Sequence, residues 1–298
     1  MSIRLFPSRS SRNNLITVSN SFISADGTVR YLLHLQDGEF AEAVRIPRDG
    51  RVTFCISSLV GCALGCTFCL TAQLGLVRDL SADEIVEQVM LLLDAGTRVE
   101  AHNPISRFSI VFMGMGEPLA NYDNVLEAIR YFHDDHGLKM PMSRITVSTA
   151  GLIPAIQRLG KEVLFPNLSI SLTGVTNRTR DDLMPINRKY PVEEIMKTVR
   201  ELPPQRQKRV MFECVMIKGL TDSVEDAAEL SRFVRGMNVK VNLIPLNAAE
   251  EIPFERCEDN AILRFQEVLI RNGVATFIRK NRGNDISGAC GQLMKKSS

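Results

Sequence analysis

An α/β fold, an open partial (β/α)6 TIM-like barrel with a small N-terminal antiparallel β element, is predicted by three features of the sequence. Residues 15–50 carry three Asp-Gly dipeptides at 26–27, 37–38 and 49–50, a pair that readily takes the positive φ of tight hairpin turns. From residue 51 onward, strand-like runs alternate with helical stretches, the signature of parallel βα units. The short polar and chemistry-bearing residues then fall at the ends of those strand runs, where a barrel of this kind keeps its site.

The antiparallel element rests on segments such as 29–34 and 41–46 between the Asp-Gly turns. Strands are expected at 51–57, 107–113, 143–148, 166–172, 209–216, 239–244 and 274–279, and helices at 82–95, 122–135, 152–160, 191–201, 222–235 and 259–272. Ser81 and Glu84 have the spacing of a capping box, which marks the start of the first helix. Fewer than eight βα units fit into this length, so the barrel is expected to stay open. The division that follows is a polar tail over 1–14, the antiparallel element over 15–50, and the barrel with a C-terminal cysteine segment over 51–298.

A chain of 298 residues, 45% hydrophobic and 23% charged with no low-complexity tract, is a folded globular protein. No signal-peptide core and no apolar run of membrane-spanning length occurs, so a cytoplasmic address without a membrane partner is expected. Seven unevenly spaced cysteines do not form a disulfide framework. A net charge of only +2 argues against holding nucleic acid by a global field. Three basic clusters (Arg178, Arg180, Arg188 and Lys189; Arg206, Lys208 and Arg209; Arg279, Lys280 and Arg282) read more readily as solvated faces than as phosphate sites.

Cys62, Cys66 and Cys69 stand in a C-x3-C-x2-C pattern that can place three thiolates on one loop. Three thiolates leave one iron of a [4Fe-4S] cube open to a substrate or cofactor. The competing readings are a structural zinc site, which needs a fourth ligand although no His lies between His34 and His102, and packing cysteines. Gly114-Met-Gly-Glu-Pro118 follows a strand; its glycines permit close backbone approach, and Glu117 can accept from an ammonium. Ser148, Ser171, Thr173 and Asn247 are short hydrogen-bonding residues at strand ends, suited to ribose hydroxyls, a carboxylate or an adenine edge.

The cysteine spacing with Phe68 before the last thiol resembles the signature of radical S-adenosylmethionine (SAM) enzymes, and 114–118 resembles their SAM-amino-group element. With 57–69, 114–119, 171–172, 184–188, 241–245 and 289–293, the chain is identified as a member of the RlmN/Cfr family of radical SAM methyltransferases. These methylate C2 or C8 of adenine in ribosomal and, for some members, transfer RNA. The resemblance implies a radical SAM core with a [4Fe-4S] cluster on Cys62, Cys66 and Cys69, and two SAM per turnover held by Gly116, Glu117, Ser148, Ser171, Leu172, Thr173 and Asn247. It further implies that one SAM methylates Cys290, that the radical from a second SAM activates this methyl for addition to the base, and that Cys55 resolves the thioether by forming a disulfide with Cys290. Glu42 matches a family proton acceptor, while Cys214 and Cys257 read as packing residues. A flavodoxin- or ferredoxin-type electron donor, an RNA substrate and a monomeric state complete the expectation.

The sequence departs from the family at several points. RlmN enzymes carry an N-terminal helical module of about 80 residues, whereas 14 residues precede the β element here. Asn281, Asn284, Ser287 and Thr173 replace the usual Thr, Asp, Asp and His, Leu59 replaces a Gln, and Ala248 replaces a Pro. These departures leave room for the same chemistry on a peptide or small metabolite, and a non-catalytic iron–sulfur electron carrier is the remote alternative.

Overall fold

The computed structural model describes residues 15–48, 50–99 and 108–293, so the expected tail and Asp49 of the third Asp-Gly pair lie outside the described residues. Strands β1 (Ile16–Ile23), β2 (Val29–Leu35), β3 (Phe40–Arg48) and β4 (Arg51–Cys55) are consecutive antiparallel neighbours. From β4 the sheet continues in parallel through β7 (Phe108–Phe112), β8 (Ile145–Thr149), β9 (Asn167–Ser171), β10 (Val210–Met216), β11 (Lys240–Pro245) and β12 (Ala275–Ile278). The antiparallel strands therefore extend the barrel sheet. Its edges, β1 and β12, do not pair with each other, and the barrel is open.

The helices α2 (Ala82–Val99), α3 (Tyr122–His133), α4 (Ile153–Leu159), α6 (Val192–Glu201), α8 (Val224–Val234) and α9 (Asp259–Arg271) fall where the periodicity puts them. Ser81 Oγ accepts from Glu84 N–H at 3.2 Å and Glu84 Oε2 accepts from Ser81 N–H at 2.8 Å, so the capping box forms. Three short α-helices escaped the sequence reading: α1 (Leu70–Gln73), α5 (Asn177–Leu183) and α7 (Pro204–Gln207). A further correction concerns the run at 51–57. The strand stops at Cys55, and an antiparallel hairpin of β5 (Leu59–Gly61) and β6 (Leu76–Asp79) brackets the cysteine loop. Strand residues such as Phe54, Ile110, Leu168, Phe212 and Val241 face inward-turned helix residues including Val89, Phe132, Ile195 and Phe265 to form the main core. Two smaller clusters, around Met184 and Leu246 and around Cys55 and Leu293, lie at the strand ends beside the cysteine loop.

Candidate active site

The hairpin closes on itself at Gly61. Its φ of +79° and the close approach of the Gly75 carbonyl admit no side chain there, and Cys62 N–H donates to that same carbonyl at 2.8 Å. The loop is then fixed at both flanks. Thr67 N–H donates to Leu183 O at 3.0 Å, Leu70 N–H to Gly291 O at 2.8 Å, and Thr71 Oγ1 to Leu293 O at 2.7 Å. The last two bonds bring a segment more than 200 positions away in sequence, with Cys290 in it, against the cysteine loop. Asn247 Nδ2 completes the anchoring by donating to Cys290 O at 2.9 Å.

A cavity of about 160 Å³ is lined by Cys62, Cys66, Cys69, Gly116, Glu117, Ser148, Ser171, Asn247 and Cys290. A larger one of about 540 Å³ lies along the inner barrel face and is lined by Cys55, Glu213, Asn242, Arg279 and again Cys290. Cys290 therefore stands at the boundary of both, while Cys55 opens only into the second. The remaining candidates lie elsewhere. Glu42 is buried and accepts from Arg30 Nη1 at 2.8 Å, and it lines neither cavity. Leu172 and Thr173 are fully buried behind the site: Leu172 N–H donates to Glu213 O, and Thr173 Oγ1 accepts from Val215 N–H.

The small cavity has the chemistry of a site for a cationic group and a cluster. Burial pushes the Cys62 thiol up to about 11, and burial together with the neighbouring thiols pushes Cys66 up as well. Burial likewise raises Cys69. Three adjoining thiolates need positive charge among them, which irons supply. Glu117 is pushed by burial to about 7, although Ala150 N–H and Leu119 N–H donate to its carboxylate at 2.7 and 3.0 Å. Asn247 Oδ1 is buried in the same wall without a hydrogen-bond partner. A buried acid and an orphaned acceptor both fit a ligand bearing an ammonium and hydroxyl groups.

Arg180 corrects the reading of the first basic cluster. It is fully buried, donating through Nη1 to Ser171 O at 2.9 Å and to Leu172 O, and through Nη2 to Ala150 O at 2.6 Å. Burial pulls its guanidinium down to about 10 against the field of Cys66, Cys214 and Asp181. Arg180 thus ties together the carbonyl ends of two strands that form the cavity wall, and nothing in sequence distinguished it from the exposed Arg188. Arg180→Met is expected to cost about 2–4 kcal/mol, because several buried carbonyls lose their donor. Chemical denaturation measures this, and a loss below about 0.5 kcal/mol would show that the guanidinium is dispensable. Cys214 and Cys257 are buried away from both cavities, in line with packing roles.

The radical SAM superfamily model matches residues 56–231. The dual-specificity RNA methyltransferase RlmN of Anaeromyxobacter sp. (strain Fw109-5) is 44% identical over 91% of this chain and 72% of its own length. Its counterpart in Syntrophobacter fumaroxidans is 46% identical over 90% of this chain and 77% of its own. A crystal structure of a radical SAM methyltransferase from Sphaerobacter thermophilus superposes with a TM-score of 0.89 at 39% identity, covering 93% of this chain and 81% of that one. The fold recurs in TYW1 with a lysine-pyruvate adduct, at a TM-score of 0.52 and 16% identity over 74% of this chain and 73% of that one. Enzymes of the superfamily use a [4Fe-4S] cluster and SAM, and the cavity flanked by Cys62, Cys66, Cys69 and Glu117 has the donors for both. The chain belongs to the radical SAM superfamily and, within it, to the RlmN family of RNA methyltransferases.

Proposed function

We propose that the chain methylates an sp2 carbon of adenine, C2 or C8, in ribosomal and transfer RNA, with Cys290 as methyl carrier and Cys55 as resolving thiol. The observation that carries this reading is the position of Cys290 at the boundary of the thiol-lined cavity and the barrel cavity, with Cys55 in the second. When bound, the cluster and two SAM molecules supply one electron, a methyl group and a hydrogen-abstracting radical. Cys62, Cys66 and Cys69 hold the cluster, and Gly116, Glu117, Ser148, Ser171 and Asn247 hold SAM. Leu172 and Thr173 support that wall, Leu172 through its backbone N–H to Glu213 O and Thr173 through Oγ1, which accepts from Val215 N–H.

Cys290 Sγ takes the methyl group, and its carbon, once short of a hydrogen atom, bonds to the adenine carbon. Cys55 accepts the proton displaced from that carbon. The adduct also gives up its unpaired electron to the electron-transfer partner; the Cys55 sulfur then attacks Cys290 Sγ, an S–S bond forms as the S–C bond breaks, and the proton held on Cys55 joins the bonding pair on the departing carbon to complete the methyl group. The disulfide must be reduced before the next turnover. Glu42, matched to the family's proton acceptor, is held by Arg30 Nη1 at 2.8 Å and is the candidate to accept a proton in this step. We also infer a flavodoxin- or ferredoxin-type electron donor and a monomer acting in the cytoplasm; among the described residues no helix is long and apolar enough to cross a membrane.

The relatives named above are RNA methyltransferases over most of this chain, which favours RNA over a peptide or metabolite acceptor. Mass spectrometry of nucleosides from ribosomal and transfer RNA, in cells with and without the protein, tests the proposal. A C-methyladenosine should vanish with the gene, and identical nucleoside profiles would refute the reading.

Glu117 gives a second test, on SAM binding. Glu117→Ala should leave the cluster intact and weaken SAM binding by roughly 1.5–3 kcal/mol, the worth of a hydrogen bond to a charged group. The raised pKa also sets a pH dependence. In the cofactor-free chain the protonated carboxyl is favoured, so its contribution to stability is present below its ordinary 4.5 and is lost as pH rises through about 7. A cationic ligand reverses the preference, so SAM affinity should fall as pH drops from 8 to 6, by up to about tenfold. Equal affinity at both pH values would place the ammonium elsewhere.

A further inference from the structure

The barrel cavity of about 540 Å³ has room for a nucleoside and carries side chains that the transfer scheme leaves unused. Sheet register sets three of them side by side. Glu213 on β10 pairs with Asn242 on β11, and Asn242 pairs with Phe277 on β12. Register partners on parallel strands turn to the same face about 4.8 Å apart, and all three of these line the cavity. Asn242 Nδ2 donates to Glu213 Oε1 at 3.4 Å, and that oxygen is in turn 3.9 Å from Arg279 Nη1. Among the described residues nothing else engages the Asn242 side chain, so its second N–H and its Oδ1 are open to a ligand. Phe277 lies on the edge strand and is 53% exposed although it faces the cavity.

A phenyl ring left half in water forgoes apolar burial that a stacked base would restore. The open amide beside it offers a donor and an acceptor in one plane, the pair that matches the N6 amino group of adenine and a ring nitrogen flanking it. The same lining carries Arg48, Lys280 and Arg282, and Arg48 stands directly across the β3–β4 pair from Arg51. Like charges set opposite each other repel, a cost that an incoming phosphate removes. We infer that Asn242 and Phe277 read the target base: the ring stacks on an adenine swung out of its strand, and the amide accepts from N6 and donates to the adjoining ring nitrogen, while Arg48, Lys280 and Arg282 take the surrounding phosphates. The inference rests on the reading of the chain as an RNA adenine methyltransferase, and it assigns the base selectivity to the β11–β12 wall. Glu213, as an acceptor, keeps the amide nitrogen on its own side. Guanine, with a carbonyl in place of the amino group, would then set one acceptor against another.

The test uses the full chain with its cluster, under anaerobic conditions, and a synthetic RNA fragment spanning the adenosine that nucleoside mapping identifies. Methyl transfer is followed in a single turnover at subsaturating RNA and expressed per methylated Cys290, so differences in loading drop out. Purine riboside in place of the target adenosine removes the N6 amino group and should slow wild-type transfer about ten- to hundredfold, the discrimination of one bidentate pair. Asn242→Ala should slow transfer to adenosine by a similar factor. In this variant the riboside penalty should shrink about tenfold, because the partner of the amino group is already gone, a coupling that a merely structural role would not give. Phe277→Ala, at an exposed edge position, should slow transfer about tenfold by weakening RNA binding, and Phe277→Tyr should restore it. An equal riboside penalty in wild type and Asn242→Ala overturns the inference, and so does unchanged transfer by Phe277→Ala. Wild-type protein that methylates no RNA would refute the proposed function and this inference with it, a result that shows before any substitution is made.

Discussion

Cys55→Ala should leave RNA covalently attached to Cys290. The two sulfurs enter at different points: Cys290 borders both cavities and can be loaded from one and deliver into the other, whereas Cys55 reaches only the barrel cavity. Removing Cys55 leaves loading and bond formation possible but takes away the thiol that breaks the S–C bond. A crosslinked RNA should therefore accumulate, seen as a retarded band that nuclease digestion reduces to a modified-adenine adduct on the Cys290 peptide. Cys290→Ala should give neither product nor crosslink, a complete loss rather than a partial one. The untreated protein should carry about 14 Da on that peptide, the mass of one added methylene, from the loading step. A Cys55→Ala protein that turns over normally would refute the resolving role, and an adduct on a peptide or metabolite would refute the RNA acceptor.

The sequence reveals the thiol triad and the Gly-Glu turn because both are local: their spacing alone puts donors on one loop or strand end. The βα alternation is legible for the same reason, since a periodicity of two or near four survives without knowledge of the partner. The hairpin that carries the triad is not. β5 has only three residues, too few for a pattern, and its pairing with β6 depends on Gly61 meeting Gly75 across the loop. Buried charges are equally hidden. Arg180 and Arg279 occur in basic runs that look solvated, yet one is sealed under strand ends and the other turned into the barrel. Glu213 reads as one polar residue in an apolar strand, and only the sheet register sets it between two cavities. Family resemblance supplied Glu42, Leu172 and Thr173 as site residues; all three are buried, Glu42 against Arg30 and Leu172 and Thr173 against β10.

Alanine at Cys62, Cys66 and Cys69 together should abolish both the visible iron–sulfur absorption and reductive cleavage of SAM, with the fold retained. Retention follows from what holds the loop. The bonds from Thr67 N–H to Leu183 O, Leu70 N–H to Gly291 O and Thr71 Oγ1 to Leu293 O involve no sulfur, so far-ultraviolet circular dichroism should not change. Loss follows from the iron chemistry, because thiolates are the ligands of an iron–sulfur cluster. Loading should also depend on pH in a definite sense. Burial holds the Cys62 thiol at about 11, so it is protonated in the free protein at neutral pH and must release its proton to bind iron. Reconstitution should accordingly run further at pH 8.5 than at pH 6.5, with protons released to a weakly buffered solution in proportion to cluster formed. Cluster absorption that survives the triple substitution would sink the assignment of these thiols, and loading indifferent to pH would show that they are already ionised in the free chain.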